Sequence, residues 1–275
     1  MAANAFFCAF FGLFLFANVL LPFKYKTWTY ASIISLGALA EVIGYAGRII
    51  MHGNAWSSAG FEMQICCLIL APSFFAAAIY LNLKDIVRGV GPQFSLIQPK
   101  LYPWIFITCD IISLILQAAG GGTAASANTT KMTDAGGRIM LAGIVFQVAT
   151  FTALYILALL FVRSLRANKH LMTPSQVAVL HDKNFKVFAW GIFVASVAVY
   201  IRCIYRIAEL AGGWKNKIMQ DEISFYILDG AMVAIAVVCL TVTYPGVWYR
   251  PVLEKTTSLE QQEKIRSDSE DGSKV

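Results

Sequence analysis

Seven stretches of the chain stay apolar for about twenty residues and are joined by short polar segments, a pattern that predicts membrane-crossing helices. The stretches cover residues 5 to 23, 28 to 51, 61 to 83, 103 to 119, 138 to 162, 187 to 207 and 222 to 246. Each approaches the roughly 20 residues that a helix needs to cross about 30 Å of hydrocarbon. The expected fold is all-α, an integral membrane bundle of seven transmembrane helices over residues 1 to 250. Residues 251 to 275 follow as a polar tail of mixed charge without aromatics, which is the composition of a disordered segment. The first stretch begins almost at Met1, has no basic flank before it and is longer than a signal-peptide core, so it reads as a retained helix.

The joints predict the orientation. Lys24 and Lys26 lie in the first joint, Lys84, Arg88 and Lys100 in the third, and Arg163, Arg166, Lys169, Lys183 and Lys186 in the fifth. The second joint has no Lys or Arg, and the fourth and sixth are sparse. Short basic joints stay cytoplasmic, so the N-terminus is expected outside and the C-terminus in the cytoplasm. The sequon Asn128-Thr129-Thr130 falls in the fourth joint, on the outer side in this topology, and makes Asn128 the candidate glycosylation site.

Several apolar stretches carry charges, each of which costs about 2.5–3.5 kcal/mol at the centre of a membrane helix unless it is partnered or wet. In the second, Glu41, Gly44, Tyr45 and Arg48 share one helix face. In the fourth, Asp110 and Gln117 stand seven apart, ahead of Gly120, Gly121 and Gly122. The sixth aligns Arg202, Arg206 and Glu209, and the seventh aligns Glu222, Tyr226 and Asp229. Four polar stripes are thus expected to face one shared interior. Counting about 1.5 Å per residue from the expected outer surface puts Arg48, Gln117, Arg202 and Arg206 near that surface, Asp229 roughly 10 Å below it, and Glu41 and Asp110 roughly 14 Å down. The expectation is an outward-facing cavity with carboxylates at its floor. The alternative from the same residues is a closed interhelical network that fixes packing. Pro72, Pro245 and the glycines of the fourth stretch would loosen backbone where a cavity needs room.

Composition narrows the chemistry. The chain of 275 residues is 58% hydrophobic and 14% charged. Its net charge of +6 resides in the joints, so it reports topology and not a nucleic-acid surface. All six cysteines (Cys8, Cys66, Cys67, Cys109, Cys203 and Cys239) sit inside apolar stretches and read as packing residues. No GxxxxGK[ST] stretch is present, so the chain itself has no nucleotide-binding loop. His52, His170 and His181 lie at a helix end and in a joint, which supplies neither a buried zinc triad nor a haem ligand pair. The seventh stretch has no lysine for a retinal Schiff base, and neither HExxH nor GxSxG occurs. No cofactor and no enzymatic activity are expected.

The polar stripes also resemble, in order, spacing and host helix, the signature of the fungal RTA-like proteins, the lipid-translocating exporter or 7-aminocholesterol-resistance family. The matching pieces are EVIGYAGR (Glu41 to Arg48), DIISLILQAAGGG (Asp110 to Gly122), IRCIYRIAEL (Ile201 to Leu210), EISFYILD (Glu222 to Asp229) and YPG (Tyr244 to Gly246). One departure is Tyr244 where the family commonly has histidine. The resemblance implies a plasma-membrane or endomembrane protein that moves or confers resistance to amphiphiles: sphingoid long-chain bases, sterol-like amines or porphyrin-type compounds. On that reading, membrane lipids and an amphiphilic small molecule are the partners. Glu41, Asp110 and Asp229 would accept an amine, and Arg48, Arg202 and Arg206 would hold a hydroxyl or phosphate. A seven-helix lipid receptor and a tetrapyrrole importer are the alternatives. The fifth joint, Arg163 to Lys186, and the tail are candidate contacts for a cytoplasmic partner.

Overall fold

The computed structural model describes residues 2–53, 58–127, 129–211 and 225–253. Seven helices long and apolar enough to cross a membrane run through them. The first is Ala2–Tyr25, the second Trp28–Gly53, the third Ser58–Val90, the fourth Leu101–Ala125, the fifth Thr130–Ala167 and the sixth Lys183–Ala211. The seventh spans Tyr226–Leu253. The chain is therefore an integral, multi-pass membrane protein. Its helices outrun the apolar stretches because helical hydrogen bonding continues past the hydrocarbon boundary; the fifth reaches 38 residues. Glu222 and Asn128, both expected to be functional, lie outside the described residues, as does the tail from residue 254.

The third helix is the hub. Its membrane-spanning part is 56% buried against 22% for the first helix, and it packs against the second, fourth, sixth and seventh. The fourth and fifth helices approach closely through glycines: a Cβ on Gly120 would strike Met140 N and come within 2.6 Å of Gly136 O. The glycines expected to open a cavity are thus divided, since Gly120 brings two backbones together while nothing lies within 4 Å of a Cβ on Gly122.

The seventh helix is interrupted twice. A π-helical turn occupies Tyr226–Ala231, a regular segment follows over Met232–Val242, and the chain breaks at Thr243 and Tyr244 before Pro245–Trp248. Pro245 has no N–H, and the carbonyls left over at the break find side chains. Tyr30 Oη donates to Leu240 O at 3.0 Å and Trp248 Nε1 to Val242 O at 2.8 Å.

The fifth joint is folded in part. A short helix, Pro174–His181, begins with a capping box in which Thr173 N donates to Gln176 Oε1 at 3.2 Å. Val179 is buried, and Gln176 also accepts from Gln93 beyond the end of the third helix.

Candidate functional site

Arg202 and Arg206 stand one turn apart on the sixth helix, and the π-turn of the seventh presents Asp229 between them. Arg202 Nε lies 3.0 Å and Arg206 Nε 3.3 Å from the same oxygen, Asp229 Oδ1. Arg206 Nη1 also pairs with Glu209 Oε2 at 2.9 Å. The Arg202 and Asp229 side chains are 4% and 1% exposed, so this is a desolvated ion cluster whose charges are held by one another.

The second nitrogen end of Arg202 is satisfied by backbone. Its Nη2 donates to Leu68 O on the third helix. Pro72, four residues on, has no N–H to give that carbonyl, so the proline frees the acceptor that the arginine takes. Pro72 therefore anchors Arg202, a more specific role than loosening the helix.

Glu41 is 1% exposed, in electrostatic range of Arg202, Asp229 and Arg206, and its Oε1 has no hydrogen-bond partner. Tyr45, one turn further along the second helix, is fully buried and stacked against Phe7 and Phe11 at 5.2 and 5.7 Å. A Cβ on Gly230 would meet Tyr45 Oη at 2.6 Å and Phe7 Cζ at 2.9 Å, so the glycine of the π-turn makes room for this aromatic wall. Arg48 is half-buried and lies over the Phe225 ring at 4.0 Å and the Tyr226 ring at 5.6 Å. Tyr226 leans toward Phe7, at 6.3 Å, because the wider π-turn separates its direction from that of Asp229.

The structure draws Glu41, Tyr45, Arg202, Arg206, Glu209 and Asp229 together, with Arg48 and Tyr226 at the edge. Asp110 stands apart. Its Oδ2 accepts from Tyr80 Oη at 2.9 Å, its Oδ1 has no partner, and it makes no ion pair among the described residues. Helical spacing put Asp110 and Gln117 on one face, and that face meets the third helix at Tyr80 and the fifth at Gln147. Gln117 Nε2 donates to Ser113 Oγ at 2.9 Å and Gln147 Oε1 at 3.2 Å, and Gln147 Nε2 donates to Ser73 Oγ at 3.2 Å.

A cavity of about 60 Å³, room for a few waters, joins the two groups. Gln64, Gln117 and Gln147 form one side, and Arg202, Arg206 and Glu209 the other. Gln147 and Ser73 are functional candidates that reading the charges missed; a lone glutamine in an apolar stretch was the available signal. The arrangement offers amide oxygens and nitrogens for hydroxyls beside the Glu209 carboxyl for a cation, with apolar helix around them.

The family model described as RTA1 like protein matches residues 34–251. The sphingoid long-chain base transporter RSB1 of Saccharomyces cerevisiae strain JAY291 is 33% identical, over 90% of this chain and 71% of its own length. Protein RTA1 of the same species is 27% identical over 86% of this chain and 71% of its own, and Protein RTM1 is 24% identical over 78% and 67%. No solved structure matches.

Proposed function

This chain belongs to the RTA1-like protein family, and from that premise we propose that it translocates single-chain cationic amphiphiles of the sphingoid-base type across a membrane, without enzymatic turnover. The observation that carries the reading is Glu41, a carboxyl buried beside the arginine cluster with one oxygen unpartnered. Arg202 and Arg206 are held by Asp229 and Glu209 and Arg48 lies over Phe225 and Tyr226, while one oxygen of Glu41 has no hydrogen-bond partner. An incoming ammonium would give that oxygen a charged donor, and the three glutamines of the cavity that Arg202, Arg206 and Glu209 line match a neighbouring diol. The similarity to a protein named as a sphingoid long-chain base transporter supports the same substrate class.

The joint charges orient the N-terminus to the outside, with the cluster in the outer half of a plasma-membrane bundle. The test is transbilayer movement of labelled sphingosine in vesicles containing the purified protein. A charge-assisted contact contributes about 1.5–3 kcal/mol, so Glu41→Gln is expected to slow movement by about tenfold or more while the protein stays folded. Equal rates for wild type and variant would remove the carboxyl from the site. Saturable sphingosine binding without movement in either would turn the reading toward a receptor.

A further inference from the structure

A second recess, of about 450 Å³, lies between the third, fifth and sixth helices and is lined almost wholly by apolar side chains. Ile79, Leu83 and Ile86 come from the third helix, Leu154, Ala158 and Val162 from the fifth, and Ala189, Ile192 and Phe193 from the sixth. Its polar feature is a hydroxyl pair, Tyr155 Oη donating to Ser196 Oγ at 3.1 Å.

This groove lies in line with the polar cavity. On the fifth helix, Met140, Ile144 and Gln147 line the cavity, and Leu154 and Ala158 line the groove; all follow one face at intervals of three, four and seven. On the sixth, Arg206 and Cys203 line the cavity, and Ser196, Ile192 and Ala189 extend the same face. From Gln147 to Leu154 is seven residues, about 10 Å at the helical rise. One layer separates the recesses, holding Phe151 and Val199, both fully buried. Tyr80, which bonds Asp110, has its ring 5.8 Å from Phe151 in that layer. At the groove's outer rim, Leu159 and Phe193 are 59% and 50% exposed, so it opens sideways to lipid.

A polar, carboxyl-bearing cavity in line with a longer apolar groove has the polarity of one molecule: a compact cationic head on a single hydrocarbon chain. We propose that the groove between the third, fifth and sixth helices is the tail site for such an amphiphile, entered sideways from the bilayer, with the head directed through the Phe151 layer toward Arg202 and Glu209.

The inference rests on the amphiphile reading above, and its test separates the two. Sphingosine carrying a photoreactive diazirine at the chain end is bound to the full protein in lipid nanodiscs and irradiated. Label is expected near Ile86, Val162 and Ala189, and moving the diazirine next to the head group is expected to shift it toward Gln147 and Cys203. Unlabelled sphingosine should compete in both cases. Ala158→Trp, which fills the groove, should reduce long-chain labelling and movement by about tenfold while leaving a short-chain analogue unaffected; Ala158→Phe gives a milder form of the same result if the tryptophan variant does not fold. Label that a diazirine phosphatidylcholine reproduces at the same residues, and that sphingosine does not displace, would overturn the tail site and assign the groove to ordinary bilayer lipid. Movement of sphingosine that persists with label elsewhere would overturn the groove and leave the translocator standing. Competed label in the groove without any movement would support the tail site and count against translocation.

Discussion

Pro72 and Arg202 act as a pair across two helices. The proline withholds an N–H from Leu68 O, and the guanidinium uses the carbonyl so exposed. Pro72→Ala restores the N–H and so offers Leu68 O a partner within its own helix. The expected outcome is a folded protein with unchanged or higher thermal stability and several-fold slower sphingosine movement, checked by melting and vesicle assays on one preparation. Asp229→Asn should behave differently. It leaves two buried guanidiniums sharing one fewer charge, a change that costs about 3–5 kcal/mol when a buried pair is broken. Adding Arg206→Met is expected to recover part of that loss, and a double-mutant cycle by thermal unfolding measures how much. At this scale the sequence revealed residue types well and partners poorly. Arg202, Arg206 and Glu209 were legible because their spacing lies within one helix. Asp110 was not, because its partner Tyr80 comes from another helix and the direction of its face depends on packing.

Glycine roles are decided by what stands opposite, which only the assembled helices show. Gly120→Leu would drive a side chain against the backbone of the fifth helix, where neither Met140 N nor Gly136 O can turn aside. We expect a loss of about 3 kcal/mol or more, at the upper end for overpacking, read as a lowered melting temperature. Gly122→Ala, with nothing within 4 Å, should be neutral in the same measurement. The short helix Pro174–His181 was readable in advance, since Thr173 followed by proline and then Gln176 is a helix-start signal. Its eight residues are too few to stand out beside apolar stretches of about twenty. The π-turn left no comparable mark: α-helical spacing aligned Tyr226 with Asp229, and the extra residue in the turn parts them.

The seven spans followed directly from apolar length, because lipid leaves backbone polar groups no partner except their own helix. Which end faces outward rests on joint charge alone, and it makes a direct prediction. Expressed in a eukaryotic secretory membrane, the protein should carry an endoglycosidase-sensitive glycan that Asn128→Gln removes. A glycan-free protein whose fourth joint is cut only from the cytoplasmic side would invert the topology and turn the polar cavity inward. The site also depends on a property of the whole seventh helix. Its segment Met232–Val242 is tied to neighbours through Leu240 O and Thr241, which pair with Tyr30 and Asn18. Loss of a single codon within 226–231 would close the π-turn into ordinary helix, which covers the same turn with one residue fewer, so the segments on either side would keep their directions. Phe225 would stay over Arg48, while Asp229, inside the turn, would lose the widened backbone that presents it between the two arginines. A one-residue deletion in the turn therefore separates the aim of Asp229 from the packing of the rest of the bundle, and chain length between Tyr226 and Ala231 is itself a functional character to compare among relatives.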